Sequence, residues 1–511
     1  ESILGLFINT VPVVLDVKAQ DDVRELLVRQ HTRQVERESH SYYPLYEIQK
    51  LGPLKEGLFS SVFVFENYPI DKQLQEQGEG RGLEVTHVET TEGTNYDLAV
   101  VAHVSQGLTI RLEGGAGKYN EASLARIGGH YRRILLGLVA VARVDELEML
   151  SEQERGYLLE ELNATAVSYE QDVLLHELFE RQAEQHPAAI AVVSGEERLS
   201  YQTLNEQANR LARLMRQAGL QQGEPVGILL TRSASMVMAL LGVLKAGGAY
   251  VPLDPNYPLH RLNYIIADTG LRQIVTDSQT RELLALDGIV QWQLDDEVLQ
   301  QQSACLDGRN LSRNTTASSK DLSYLIYTSG STGQPKGVAI AHCNAMAMVQ
   351  WGGDFFSTEE LSGVLASTSL NFDLSVFELF VPLSFGGKVI VVENILTLLH
   401  EEVAELRLVN TVPSGIDALL EAGRLPGSVV SVNLAGEPLK SVLVNKLFFG
   451  RRLRRVVNLY GPSEDTTYST YYEMTAPPQG EPRIGKPIAN TQAYVLGEQG
   501  EPLPFGVAGE L

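Results

Sequence analysis

Between residues 190 and 245 short apolar runs alternate with stretches whose apolar residues recur at helical spacing, and few architectures accept that rhythm. Residues 190–193 read as a strand; Leu204, Ala208, Leu211, Ala212 and Met215 then share one helical face; residues 226–230 read as a second strand and 236–245 as a second helix. Alternating strands and helices predict βαβ units and a largely parallel, doubly wound α/β sheet, whose ligands sit in loops at the carboxyl ends of the strands.

The chain is longer than one such unit. At 511 residues it exceeds a single hydrophobic core and predicts about three folding units at roughly 150 residues each. The first part has a different pattern: a charged amphipathic stretch at 21–38, strand-type runs at 58–65, 98–103 and 108–112, then a helix over 120–144 with Ala125, Ile127, Tyr131, Ile134, Leu135 and Leu138 on its apolar face. That is an α+β unit. From 145 to 172 the composition turns polar and acidic, and helical spacing resumes at Leu174, Leu178 and Ala183. An interdomain linker is expected there.

The formal charge of -23 opposes nucleic-acid backbones and anionic lipid surfaces, which are bound by neutralising phosphates with Lys and Arg. The most apolar stretch, 226–253, is interrupted by Arg232, Lys245 and a Gly-Gly pair, so it does not read as a membrane span. Cys305 and Cys343 are the two cysteines, far apart and without a CxxC spacing. Two reduced thiols and no targeting segment predict a cytoplasmic protein without a disulfide framework or a zinc site. Asn163, Asn310 and Asn314 begin N-x-[ST] triplets, which carry meaning only in secreted proteins. The chain begins at Glu1 and stops at Leu511 where an apolar strand is starting, so both ends are expected to be cut.

The sharpest chemical signal follows a strand at 321–327. Thr328, Ser329, Gly330, Ser331, Thr332, Gly333, Gln334, Pro335, Lys336 and Gly337 form a loop of small residues. Their glycines supply free N–H groups, their hydroxyls add donors and Lys336 adds a mobile positive charge, which together suit a polyphosphate. The spacing is not that of a Walker A loop, and GxGxxG is missing, so a dinucleotide fold is not indicated.

This loop resembles the signature of the adenylate-forming superfamily, which includes acyl-CoA synthetases, luciferases and the adenylation domains of peptide synthetases. Leu199-Ser-Tyr-Gln-Thr-Leu204, Leu244-Lys-Ala-Gly-Gly-Ala-Tyr-Val-Pro-Leu-Asp254, Asn371-Phe-Asp-Leu-Ser375 and Asn458-Leu-Tyr-Gly-Pro-Ser-Glu464 resemble the non-ribosomal peptide synthetase motifs in sequence and order. Taken singly, the second could be a helix end with its Gly stop and the third an ordinary turn. Gly5-Leu-Phe-Ile-Asn-Thr-Val-Pro12, His40-Ser-Tyr-Tyr-Pro-Leu-Tyr46 and Phe63-Val-Phe-Glu-Asn-Tyr-Pro69 resemble late motifs of condensation domains, whose HHxxxDG motif the chain lacks.

The resemblance implies the C-terminal part of a condensation domain over 1–144, a linker over 145–175 and, over 176–511, an adenylation core without its C-terminal lid. It implies activation of an amino acid with ATP to an aminoacyl-AMP and pyrophosphate, for loading onto the phosphopantetheine thiol of a peptidyl carrier domain in a neighbouring module. Thr328, Ser329, Gly330, Ser331, Thr332, Gly333 and Lys336 would hold the phosphates, and Glu464 the Mg²⁺. Lys336 and Glu464 would act on the reacting groups. Tyr460 would stack on adenine and Asn458 bond its edge, with Gly436, Glu437 and Pro438 against the base and Gly461 and Ser463 beside the nucleotide. Asp373 would pair with the substrate ammonium.

The rest of the side-chain pocket carries over onto Leu374, Phe377, Asn410, Asn433, Ala435, Leu459, Thr467 and Tyr468. Apart from Asp373 no member can pair with a charged side chain, and several bring bulk, which favours a small neutral amino acid. The set resembles those associated with alanine, with serine or glycine behind it. The lid Lys and ribose-binding Asp of the family fall outside these residues, so the chain alone is expected to turn over poorly. An acyl-CoA ligase, or a nucleotide-binding docking module without chemistry, is the alternative reading.

Overall fold

The computed structural model describes residues 9–51, 59–66, 96–104, 107–115, 117–284, 286, 288–329, 335–450 and 453–511. The chain forms two compact units, residues 1–161 with 495–511, and residues 162–494.

In the first unit the charged stretch becomes the helix Val23–Glu38, started by the Asp22 carboxylate accepting the Glu25 N–H at 3.0 Å. A three-stranded sheet places Leu98–Val104 between Ser61–Glu66, to which it is parallel, and Leu108–Gly114, to which it is antiparallel. Ala99, Val100, Val101 and Ala102 of its central strand are buried. After the sheet a helix runs Glu121–Gly137, capped by the Asn120 side chain, and not to residue 144 as its apolar spacing predicts. Ala140 and Val141 both turn their N–H groups back to the Gly137 carbonyl, and a Cβ on Gly137 would lie 2.8 Å from the Leu147 side chain. Leu147, which caps the following 3₁₀ turn Val144–Glu146, thus packs against the helix end at the residue that has no side chain.

The second unit holds the expected parallel arrangement, divided between two sheets. One has six strands in the order Pro335–Ala341, Leu322–Ser329, Ala249–Pro252, Pro225–Ile228, Gln273–Thr276 and Val290–Gln293, parallel except at its first edge. The other has nine, in the order Lys486–Pro487, Thr470–Met474, Arg455–Tyr460, Ser431–Leu434, Leu408–Thr411, Val364–Ala366, Val389–Val391, Ile190–Ser194 and Glu197–Ser200. Its interior is parallel and its edges antiparallel.

Four helices join the sheets through one core: Tyr201–Gln217, Ala234–Ala246, His342–Phe355 and Leu374–Ser384. Ser200 and Ser233 cap the first two, and Gly247, at φ 95°, closes the second in the left-handed conformation that only glycine adopts without strain. Ala234–Ala246 is buried almost all round, which explains its weak polar face. Among the described residues no helix is long and apolar enough to cross a membrane.

Candidate active site

The phosphate-type loop is carried by an antiparallel hairpin. Strand Leu322–Ser329 pairs with Pro335–Ala341 so that Thr328 faces Lys336 and Ser329 faces Pro335; Gly330, Ser331, Thr332 and Gly333 lie outside the described residues. At the foot of the hairpin Tyr327 lies across Gly337, whose Cβ would stand 3.0 Å from the ring, and its hydroxyl donates to Asp268 Oδ2 at 2.5 Å. Asp268 belongs to the helix Leu259–Thr269, so the hairpin base is tied to a neighbouring element. The second strand packs against the short turn Ser463–Asp465, which brings Lys336 and Glu464 to one side of the unit.

That turn follows strand Arg455–Tyr460, and its backbone is tightly folded. A Cβ on Gly461 would stand 2.6 Å from Ser469 N and 2.8 Å from Thr467 O. Thr466 and Thr467 adopt φ 62° and 73°, a costly conformation for β-branched residues and one that concentrates at working sites. The folded loop delivers the Thr467 hydroxyl to the backbone carbonyl of Asp373 at 3.1 Å.

Asp373 sits at the start of Leu374–Ser384 but does not cap it. Its side chain is buried, and burial pushes its carboxyl above the usual range; hydrogen bonding from Ser463 opposes this and the nearby Glu464 carboxylate adds to it. Among the described residues no cation is one of the groups that set its charge. A buried carboxylate without a positive partner is costly, and a bound ammonium group would relieve the cost.

The expected pocket residues converge around this helix. Phe377 and Tyr468 are fully buried and meet edge to face at 5.7 Å, with Trp351 6.5 Å from Tyr468. Asn410 and Asn433 are in-register neighbours on the parallel strands Leu408–Thr411 and Ser431–Leu434. Their amides differ. Asn410 is bonded on both sides, whereas neither amide atom of the buried Asn433 has a hydrogen-bond partner among the described residues. Ala435, Leu459 and Thr467 are buried, and Leu374 is half-buried beside Asp373.

Residues 179–511 match the family described as AMP-binding enzyme, and residues 1–159 match the condensation domain. The chain belongs to the AMP-binding enzymes. A condensation segment followed by an AMP-binding segment is the organisation of non-ribosomal peptide synthetases, and the relatives agree. The chain is 41% identical over 517 residues to a linear gramicidin synthase polypeptide of Brevibacillus parabrevis, covering 100% of this chain and 10% of that protein. It is 43% identical over 418 residues to AMB antimetabolite synthetase AmbB of Pseudomonas aeruginosa, covering 81% of this chain and 32% of that one. It therefore spans a tenth to a third of these relatives' lengths. A solved four-domain non-ribosomal peptide synthetase bound to AMP and glycine is 25% identical with a TM-score of 0.81, covering 99% of this chain and 39% of that one. The synthetase FmoA3 in its alpha-methyl-L-serine-AMP bound form shares the fold at 24% identity and a TM-score of 0.81, covering 98% and 57%.

On the side expected to face the nucleotide, this AMP-binding enzyme exposes Tyr460 by 43% and turns at Gly436 with φ 80°. Glu437 receives the Ser414 N–H and hydroxyl at 2.9 and 2.8 Å, so its carboxylate fixes the Gly436 turn to the start of helix Pro413–Glu421. Asn458 donates its amide N–H to the Arg483 carbonyl at 2.8 Å, which orients its side chain. Glu464 is an exposed carboxylate, and among the described residues no group of three or more His, Cys, Asp or Glu could hold a metal ion. That donor set suits Mg²⁺, which takes one or two carboxylates and completes its shell with water and substrate phosphates.

Two residues absent from the expected set stand inside the site. Glu378 is fully buried four residues beyond Leu374, and Asp268 braces the hairpin. Glu378 is the one charged residue in the eleven-residue helix LSVFELFVPLS, and a lone charge in an apolar run is a usable signal that a partner exists.

Proposed function

We propose that this chain is part of a non-ribosomal peptide synthetase module whose AMP-binding segment activates a small neutral amino acid, alanine first, with ATP. The products are aminoacyl-AMP and pyrophosphate, and the aminoacyl group passes to the phosphopantetheine thiol of a carrier domain in the parent synthetase. The proposed organisation is a condensation part at 1–144, a linker at 145–175 and an adenylation core at 176–511.

The observation that carries this reading is the buried Asp373 carboxylate, without a cation among the described residues, beside the Ser463–Asp465 turn. It would receive the substrate ammonium, a contact with no use in a fatty-acid-activating enzyme. Thr328, Ser329, the following loop and Lys336 hold the phosphates and screen their charge from the incoming carboxylate. Glu464 carries Mg²⁺, which neutralises phosphate charge. Tyr460 stacks on the base, and Asn458 and the Gly436–Pro438 turn flank it. Phe377, Ala435, Leu459 and Tyr468 are buried around the Asp373 helix, and the further carboxylate there, Glu378, is already bonded to Ser367, Thr368 and Asn410, so no free charged side chain is left to read another, which supports a small neutral substrate.

The test is amino-acid-dependent exchange of pyrophosphate into ATP, measured on the full synthetase with every proteinogenic amino acid and a fatty acid. Alanine is expected to give the fastest exchange, and Asp373→Asn to reduce it at least a hundredfold. Exchange with the fatty acid alone, or with no amino acid, refutes the proposal.

A further inference from the structure

The two pocket residues Asn410 and Tyr468 are not independent, because a buried carboxylate outside the expected set governs both. Glu378 Oε2 accepts the Ser367 and Thr368 N–H groups at 2.9 and 3.0 Å. Its Oε1 accepts the Thr368 hydroxyl at 2.5 Å and the Asn410 amide N–H at 3.2 Å. The Asn410 amide oxygen then accepts the Tyr468 hydroxyl at 2.7 Å.

The direction of this chain is forced. Burial pushes the Glu378 carboxyl up, opposed by the Arg232 charge and by the N–H and O–H donors around it; as a carboxylate it only accepts, so Asn410 turns its NH₂ toward Glu378 and its oxygen toward Tyr468, which leaves the phenol no role but donor. All three side chains are buried. Such a chain, closed to water, holds its members in one arrangement, because each alternative leaves a buried polar atom unpaired. The anchor is itself held. Arg232, mostly buried, supplies positive charge toward Glu378 and donates to the carbonyls of Val392 at 2.7 Å, Ala366 at 2.6 Å and Thr368. Those last two carbonyls flank the segment whose N–H groups grip Glu378.

The far end of the chain is a wall. The Tyr468 ring is hemmed by Phe377 and Trp351, so a ring tied at its hydroxyl cannot swing aside for a larger substrate. We infer that Glu378 is a positioning residue for substrate size: through Asn410 it locks the Tyr468 ring and limits the amino acid to a short side chain. This rests on the proposed amino-acid activation.

The experiment compares kcat/KM for alanine and valine in pyrophosphate exchange by the full synthetase. In Glu378→Gln the carboxamide cannot accept on both sides, so Asn410 either loses its bond to residue 378 or turns over; a turned Asn410 offers the Tyr468 hydroxyl an N–H in place of an acceptor, which leaves the buried phenol proton unpaired and weakens the tether. The alanine-to-valine ratio is expected to fall at least tenfold while KM for ATP stays the same. Tyr468→Phe, which keeps the ring and removes only its tether, is expected to lower the ratio likewise. The double variant is expected to be no worse than the stronger single one, since both cut the same chain.

An unchanged ratio, an equal fall for both substrates, or effects that multiply in the double variant overturns the inference. Should Glu378→Gln not fold, an unshifted ratio in Tyr468→Phe overturns it by itself. A wild-type synthetase inactive with every amino acid instead overturns the functional reading, and this inference with it.

Discussion

His342 makes the second unit acid-sensitive by an amount that can be worked out. It opens the helix His342–Phe355, is 1% exposed, and accepts the Leu175 N–H on Nδ1 at 3.0 Å. An imidazolium could not accept that bond, and a helix N-terminus disfavours positive charge. Burial pushes its pKa down to about 4 from 6.5, helped by the charge of Arg313 and opposed by Asp321. As pH falls below 6.5 the unfolded chain takes up a proton that the folded one refuses, so stability present at neutral pH is lost on the way to pH 4. At pH 5 the loss from this residue is about 2 kcal/mol, a large part of a typical stability.

Both tryptophans, Trp292 and Trp351, are buried in the second unit, so urea unfolding followed by tryptophan fluorescence reports that unit selectively. In His342→Asn the amide oxygen can take the place of Nδ1 and keep the Leu175 bond. The variant is expected to be less stable at pH 7.5, yet to lose about 2 kcal/mol less than wild type between pH 7.5 and 5. A residual slope remains from His176, which is buried 6.2 Å away and whose pKa is also pushed down by burial. Parallel curves for variant and wild type would refute the reasoning.

Other substitutions probe the site's scaffold. Glu360→Gln breaks a buried pair in which the Arg455 guanidinium binds the carboxylate at 2.7 and 2.8 Å and stacks 4.4 Å from the Phe355 ring centre; the same urea assay should show a loss of about 3–5 kcal/mol. Gly461→Ala drives a methyl into backbone atoms and should depress exchange activity strongly, whereas Gly427→Ala, with nothing within 4 Å of the new atom, should leave it intact. Tyr327→Phe removes the bond to Asp268 and should raise KM for ATP more than it lowers kcat; an unchanged KM would separate the hairpin brace from phosphate binding.

What the sequence disclosed and what it hid divide along a physical line. Periodicity exposes any segment whose burial has a regular sidedness, which is why the helices at 201–217 and 234–246 and the strands at 190–194 and 225–228 lie close to their expected places. Motif resemblance pointed to Asp373, Thr467 and Tyr468 together, and the fold does join them, through a loop with two threonines at positive φ. Periodicity does not say which sheet a strand enters: 190–194 and 225–228, the two strands that the spacing joins through the helix at 201–217, belong to different sheets, and the short strand Glu197–Ser200 lies between them in sequence.

The hidden part is the pairing of isolated charges. Arg232 and Lys245 read in sequence only as interruptions of an apolar stretch. In the structure Lys245 is buried against Glu180 and Asn205, and Arg232 ties down the segment that grips Glu378. Each such charge in an apolar run demands a partner, but the partner lies tens to more than a hundred residues away and the demand carries no address. The site's supports are therefore the residues that break its hydrophobic pattern, and a search for them should begin at those breaks.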